Sequence, residues 1–194
     1  MQEFWFYTKL GFNHVMDFAA YDHILFLAAL AVPFTFKSWK KVLILCTLFT
    51  VAHCLSLAFS AYDIVRVDVG LIEFLIPVTI FLTGIFNLFY TGRNADRMKI
   101  HWHALFTTFF GLIHGFGFSN YFNMMMAELE GKLVPLMGFA MGIEISQFLV
   151  ILSILLLGWV FRSRLQVNRQ IYIAICSVIV LLITIPMLLE TLPT

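Results

Sequence analysis

Residues 134–158 read VPLMGFAMGIEISQFLVILSILLLG, and Glu144 is the only charged side chain among them. A helix needs about 20 mostly apolar residues to cross a hydrocarbon core roughly 30 Å thick. The stretch therefore predicts a transmembrane helix. Five further stretches meet the same criterion, which gives six predicted spans: 18–36, 42–61, 69–90, 104–122, 134–158 and 170–190.

The composition of the whole chain agrees with this interpretation. Of its 194 residues, 61% are hydrophobic and 12% are charged, whereas soluble domains carry about 25% charged residues. The formal net charge of +1 excludes a basic nucleic-acid binder. The three cysteines are odd in number and lie in apolar stretches, which favours buried thiols over disulfides. We predict an all-α, polytopic transmembrane bundle of six helices over residues 18–190.

The segment before the first span, residues 1–17, is too polar to cross a membrane. It nevertheless contains six large apolar side chains: Phe4, Trp5, Phe6, Tyr7, Leu10 and Phe12. This mixture is typical of an amphipathic helix that lies in the membrane interface. We therefore expect an interfacial N-terminal segment in contact with membrane lipid.

The basic residues divide unequally between the two sides of the predicted bundle. Nine of the twelve lie in the loops that follow the first, third and fifth spans: Lys37, Lys40, Lys41, Arg93, Arg97, Lys99, Arg162, Arg164 and Arg169. The positive-inside rule places these loops in the cytoplasm. Both termini then lie outside, on the periplasmic side of what we expect to be a bacterial inner membrane.

Five of the six predicted spans carry an ionisable side chain toward their outer half. These side chains are Asp22, His23, His53, Glu73, His114 and Glu144. The helical rise of 1.5 Å per residue places them roughly 6–15 Å below the outer ends of their spans. Ionisable groups in lipid cost several kcal/mol and mark functional sites. One shared polar site is the simplest explanation for their common depth.

Imidazoles combined with carboxylates suit borderline divalent metals. We predict a site for a divalent transition metal (Ni, Co or Zn) with five ligands: Asp22, His23, His53, His114 and Glu144. Gln147 lies one turn after Glu144 and is a candidate hydrogen-bond partner of a ligand. His14, Asp17 and Glu73 are either further ligands or solvated groups near the interface, and the sequence leaves both readings open.

Two other patterns bear on packing. Gly138 and Gly142 have the GxxxG spacing that lets a neighbouring helix approach closely. The 22 phenylalanines are interpreted as lipid-facing side chains.

Four short motifs occur in a fixed order along the chain. They are GFNH at 11–14 followed by YDHILFL at 21–27, FTVAHCLSL at 49–57, FGLIHGFGF at 110–118 and FAMGIEISQ at 139–147. Together they resemble the HupE/UreJ family of small polytopic proteins, which is grouped with nickel/cobalt permeases and associated with metal supply to hydrogenase and urease. The resemblance implies transport of a divalent transition metal.

The chain departs from the family pattern near its start. His14 precedes Asp22 and His23 by eight and nine residues, where the family has six and seven. Val15 stands where the family commonly has proline.

Three functions are compatible with the sequence. A metal permease is the leading hypothesis. The alternative is a membrane-embedded metalloenzyme, in which an open metal position activates water or oxygen toward a lipid or small molecule, with Glu144 or Glu73 as the base. A structural subunit, whose polar layer only specifies helix packing, is the third. A homo-oligomer is compatible with each of them.

Overall fold

The computed structural model describes residues 1–89, 100–127, 129 and 131–193. Within these ranges it contains seven α-helices, one short 3-10 helix over Phe36–Ser38, and no strand. The α-helices are α1 (Gln2–Met16), α2 (Asp22–Ala31), α3 (Trp39–Ala61), α4 (Val69–Phe89), α5 (Ile100–Met126), α6 (Leu133–Ser163) and α7 (Arg169–Glu190). The all-α prediction is confirmed.

Four helical segments in the described ranges are long and apolar enough to cross a membrane. They are Phe36–Ala61, Val69–Phe89, Leu133–Ser163 and Arg169–Glu190. The chain is an integral membrane protein. Helix α5 has 27 residues, which is also long enough to cross, whereas α2 has only ten. The count of six spans therefore stays a prediction.

The N-terminal region differs from the expected interfacial segment followed by one span. Residues 2–16 form α1, whose Gly11 packs its backbone directly against the backbone of Phe139 in α6. The predicted span 18–36 contains the short helix α2 and an irregular connection. The helical structure is thus interrupted between Met16 and Asp22. The structure does not confirm an amphipathic helix that lies apart from the bundle.

Glycines bring the helices into backbone contact in two places. A Cβ on Gly138 or Gly142 of α6 would collide with backbone atoms of α1, so the predicted close approach at the GxxxG motif is confirmed, and its partner is α1. On α5, a Cβ on Gly111 would lie 2.6 Å from the carbonyl oxygen of Phe49 in α3. Gly115, one turn later, abuts the backbone of His53.

The core of the bundle combines aliphatic side chains with several phenylalanine rings. Phe26, Phe49, Phe122 and Phe139 are fully buried, so the prediction that the phenylalanines face lipid is wrong for these four. Two of them, Phe49 and Phe139, belong to the residues whose backbone atoms lie against glycines of a neighbouring helix. All three cysteines are unpaired, as predicted, but only Cys46 is buried, whereas Cys54 and Cys176 are partly exposed.

Two arginines bind the connection that follows α2. Arg162 donates to the carbonyl oxygen of Phe34 at 3.4 Å, and Arg169 donates to that of Pro33 at 3.1 Å. A cation near a helix C-terminus offsets the partial negative charge of the last carbonyls, so these contacts stabilise the end of α2. Arg93, Arg97 and Lys99, which belong to the predicted cytoplasmic loops, lie outside the described residues.

The α3–α5 contact makes a direct prediction about stability. Gly115→Ala places a methyl group against the carbonyl oxygen of His53 and the hydroxyl of Ser56, so the two helices must separate. Overpacking of this kind costs about 1–3 kcal/mol, and we expect a clearly lowered thermal midpoint for the detergent-solubilised protein. Gly131→Ala is the matched control, because no atom lies within 4 Å of its added Cβ. Equal midpoints for the two variants would contradict the proposed contact.

Candidate metal centre

Four histidines from four helices converge inside the bundle. His14 lies in the last turn of α1, His23 in the first turn of α2, His53 in α3 and His114 in α5. Ligand atoms of His14, His23 and His53 lie within 4.8 Å of one another, and so do those of Asp22, His23 and His114. His23 belongs to both groups, so the five side chains form one cluster, which we call the histidine cluster.

The rings of the cluster are in close contact and shielded from solvent. The ring centroid of His23 lies 4.5 Å from that of His14, 5.6 Å from that of His53 and 5.3 Å from that of His114. His23, His53 and His114 expose 3% or less of their surface. Four phenylalanine rings complete the enclosure: Phe26, Phe49, Phe118 and Phe139.

The orientation of His23 follows from its neighbour in the chain. Its Nδ1 lies 3.1 Å from Oδ1 of Asp22. Because the carboxylate accepts the Nδ1 hydrogen, Nε2 keeps its lone pair, and this Nε2 has no hydrogen-bond partner among the described residues. A carboxylate that holds the far nitrogen of an imidazole is the usual arrangement around a metal-binding histidine. His23 is therefore oriented to bind a metal through Nε2.

The orientation of His114 follows from a threonine in α4. Thr79 Oγ1 lies 2.7 Å from the carbonyl oxygen of Ile76 and 3.0 Å from Nε2 of His114. The hydroxyl has one hydrogen, which it donates to Ile76, so it accepts the hydrogen of Nε2 from His114. The lone pair of His114 is therefore on Nδ1, which is buried and has no partner in the described part of the chain.

The remaining two histidines also present unpartnered nitrogens. Nε2 of His14 and both ring nitrogens of His53 are buried and form no hydrogen bond with any described residue. Native proteins pair nearly all such atoms. Neutral imidazole nitrogens with free lone pairs are the ligands that Ni, Co and Zn prefer, so the donor set fits a divalent transition metal.

Comparison with known proteins agrees with the residues of this cluster. A family model described as HupE / UreJ protein matches residues 1–191. The chain belongs to the HupE/UreJ family. No curated protein and no solved structure matches it. The resemblance drawn from the four motifs is confirmed, and each of those motifs places at least one side chain in or beside the histidine cluster of this HupE/UreJ protein.

The structure brings together four of the five predicted ligands: Asp22, His23, His53 and His114. It adds His14, which the sequence left open. Glu144 lies outside both groups of ligand atoms. It is half-buried and accepts a hydrogen bond of 3.5 Å from Thr47 on the α3 side of α6.

Three other candidates also lie outside the groups. Glu73 is exposed on the first turns of α4. Asp17 is exposed in the break between α1 and α2, where its Oδ1 accepts a hydrogen bond of 2.8 Å from the backbone N–H of Ala19. Gln147 is buried, and its Oε1 accepts a hydrogen bond of 3.1 Å from Thr50, one turn from His53. Its Nε2 has no hydrogen-bond partner among the described residues, so Gln147 supports the helix that carries a ligand rather than the ligand itself.

Thr79 is the functional residue that the sequence reasoning missed. A threonine in an apolar helix is common, because its hydroxyl bonds to the backbone of its own helix, as Thr83 does. The signal that distinguishes Thr79 is its contact with a histidine 35 positions away, which only the packing of α4 on α5 reveals.

The role of Thr79 is testable with two conservative variants. Thr79→Val keeps the shape and removes the acceptor that fixes the His114 ring, so we expect the affinity for Ni²⁺ to fall about 10- to 100-fold. Thr83→Val removes a hydroxyl of the same helix that bonds only within α4 in the structure, and we expect unchanged affinity. Titration calorimetry in detergent measures both. An unaltered affinity in Thr79→Val would show that the threonine does not orient His114.

Proposed function

We propose that this HupE/UreJ protein is a transition-metal permease of the nickel/cobalt type, and that the histidine cluster binds the metal as cargo. The observation that carries the proposal is the set of buried imidazole nitrogens, contributed by four different helices, that have no hydrogen-bond partner among the described residues. Unpaired polar atoms inside an apolar bundle destabilise it, and a bound cation removes that penalty. Family membership supports the same metal class.

The placement of the ligands on separate helices suits transport. His14 and His23 lie on either side of the break between α1 and α2, whereas His53 and His114 belong to the tightly packed pair α3 and α5. A movement of α1 and α2 relative to α3 and α5 changes the distances between the ligands. The bonds between the metal and its ligands can then weaken, and the metal can leave the histidine cluster.

The charge of the cluster also suits a cargo ion. Asp22 is the one carboxylate in the two ligand groups, so a divalent ion bound there keeps part of its positive charge. A permease must release its substrate, and incomplete neutralisation in a low-dielectric site limits the affinity. We further propose that the basic loops lie in the cytoplasm and both termini outside, so that the metal crosses toward the basic side.

The proposal predicts a specific pattern of binding and uptake. His53→Ala and His114→Ala each remove a ligand, so we expect both variants to lose high-affinity Ni²⁺ binding and the uptake of radioactive Ni²⁺ into proteoliposomes. His103→Ala is the control, because His103 is half-buried between the rings of Phe34 and Phe86, away from the cluster. We expect this variant to bind and transport like the wild type.

The same measurement separates a permease from the other functions. Wild-type protein that transports no Ni²⁺ or Co²⁺, yet retains stoichiometric metal through chelation and purification, would contradict transport and favour the membrane metalloenzyme. Wild-type protein that binds no metal at all would leave only a structural role for the cluster.

A further inference from the structure

A cavity of about 650 Å³ lies at the C-terminal end of α1, between that helix and α5. The residues with polar side chains in its lining are Asn13, His14, Asp17 and Tyr121. Asn13, Asp17 and Tyr121 are exposed, so the cavity is open to the surroundings of the protein. We call it the vestibule.

We propose that the vestibule is a capture site for the hydrated divalent cation, and that His14 transfers the ion from it to the histidine cluster. This inference rests on the proposed function. His14 is the residue that carries it, because it is the only side chain among the described residues that both lines the vestibule and belongs to a ligand group.

The size of the vestibule fits an ion that still carries its water. Six water molecules at about 30 Å³ each occupy about 180 Å³, well below the volume of the cavity. The histidine cluster, by contrast, is packed among phenylalanine rings, and the ligand atoms of each of its two groups lie within 4.8 Å of one another. The ion must therefore lose water between the two places.

The vestibule also has the right charge for capture. Asp17 contributes a carboxylate and Asn13 an amide oxygen. The last carbonyls of α1 point toward the same end of the helix, where the helix dipole places partial negative charge. Oxygen donors and negative potential hold a hydrated cation through its water shell, without demanding the replacement of that shell.

Transfer requires a ligand that reaches both places, and His14 meets this requirement. Its ring centroid lies 4.0 Å from that of Phe118, which lines the vestibule, and 4.5 Å from that of His23 inside the cluster. Its Nε2 has no hydrogen-bond partner in the described part of the structure. Coordination by this nitrogen replaces the first water molecule, and the cluster replaces the rest.

The second cavity of the bundle does not suit a hydrated ion. It measures about 400 Å³ and is lined chiefly by phenylalanine and aliphatic side chains of α2, α4 and α5, with no carboxylate among its lining residues. A hydrated cation there would lose solvation without gaining a counter-charge.

The test compares Asp17→Asn with Glu3→Gln, which also removes one exposed carboxylate of the N-terminal region but lies outside the vestibule. For Asp17→Asn we expect the KM for Ni²⁺ uptake into proteoliposomes to rise about 3- to 10-fold, from the loss of one charge near the ion. The maximal rate and the equilibrium Ni²⁺ affinity of the purified protein should stay at wild-type values. Glu3→Gln should change none of the three.

A second variant tests directly whether the metal ion passes through the vestibule. Asn13→Cys is labelled with a cationic or an anionic methanethiosulfonate reagent, and labelled wild type controls for the native cysteines. We expect the cationic label to inhibit Ni²⁺ uptake strongly and the anionic label to inhibit it much less. Equilibrium Ni²⁺ binding should survive both labels.

The outcomes separate the two proposals. Wild-type uptake with an unchanged KM in Asp17→Asn, or full labelling at position 13 without any charge-dependent effect, would overturn the vestibule and leave the permease intact. Absence of Ni²⁺ binding by the wild type would overturn both.

Discussion

The rest of this structure depends on five buried imidazole nitrogens that form no hydrogen bond within the described part of the chain. They belong to His14, His23, His53 and His114. Leaving a buried polar atom unpaired costs about 1–3 kcal/mol, and phenylalanine rings around the cluster offer no compensation. This unfavourable contribution to the free energy of folding must therefore be offset by packing elsewhere in the bundle, or by a cation that occupies the cluster.

Backbone contacts at glycine supply the rigidity that this arrangement needs. Gly111 and Gly115 allow α5 to contact the backbone of α3, and Gly138 and Gly142 allow α6 to contact the backbone of α1. In lipid, apolar side chains gain little from mutual burial, so helices associate through close packing of this kind. The first contact fixes His53 and His114 relative to each other, and the second fixes the helix that carries His14.

The sequence identified histidines of the cluster, but it did not show which acidic side chains face them. His23, His53 and His114 were identified because histidine in an apolar span is costly wherever it points. The same argument selected Glu73 and Glu144, which the structure places outside the ligand groups. The expected depth of a residue follows from counting along the span, but the face that its side chain occupies depends on which helices are neighbours. The six predicted spans have no periodic polarity from which those neighbours could be predicted.

The N-terminal region shows the same limit. Its aromatic and polar mixture is typical of an interfacial helix, yet Gly11 lets α1 pack into the bundle against Phe139. A single glycine in a short segment is not enough to predict such a contact from the sequence. His14 therefore belongs to the cluster although it lies in a segment that its composition assigns to the membrane surface. Thr79 contacts the cluster through a hydroxyl that the sequence does not distinguish from those of other threonines in the spans.

The most direct measurement of the central claim is X-ray absorption at the nickel edge of Ni²⁺-loaded wild-type protein. Because Asp22 holds Nδ1 of His23, the imidazole nitrogens are the expected ligands of the ion. They predict a first shell rich in nitrogen, with the outer-shell scattering of at least three imidazole rings. A first shell that contains sulfur, or one of oxygen without imidazole scattering, would show that the metal binds elsewhere and would contradict the histidine cluster as the metal site.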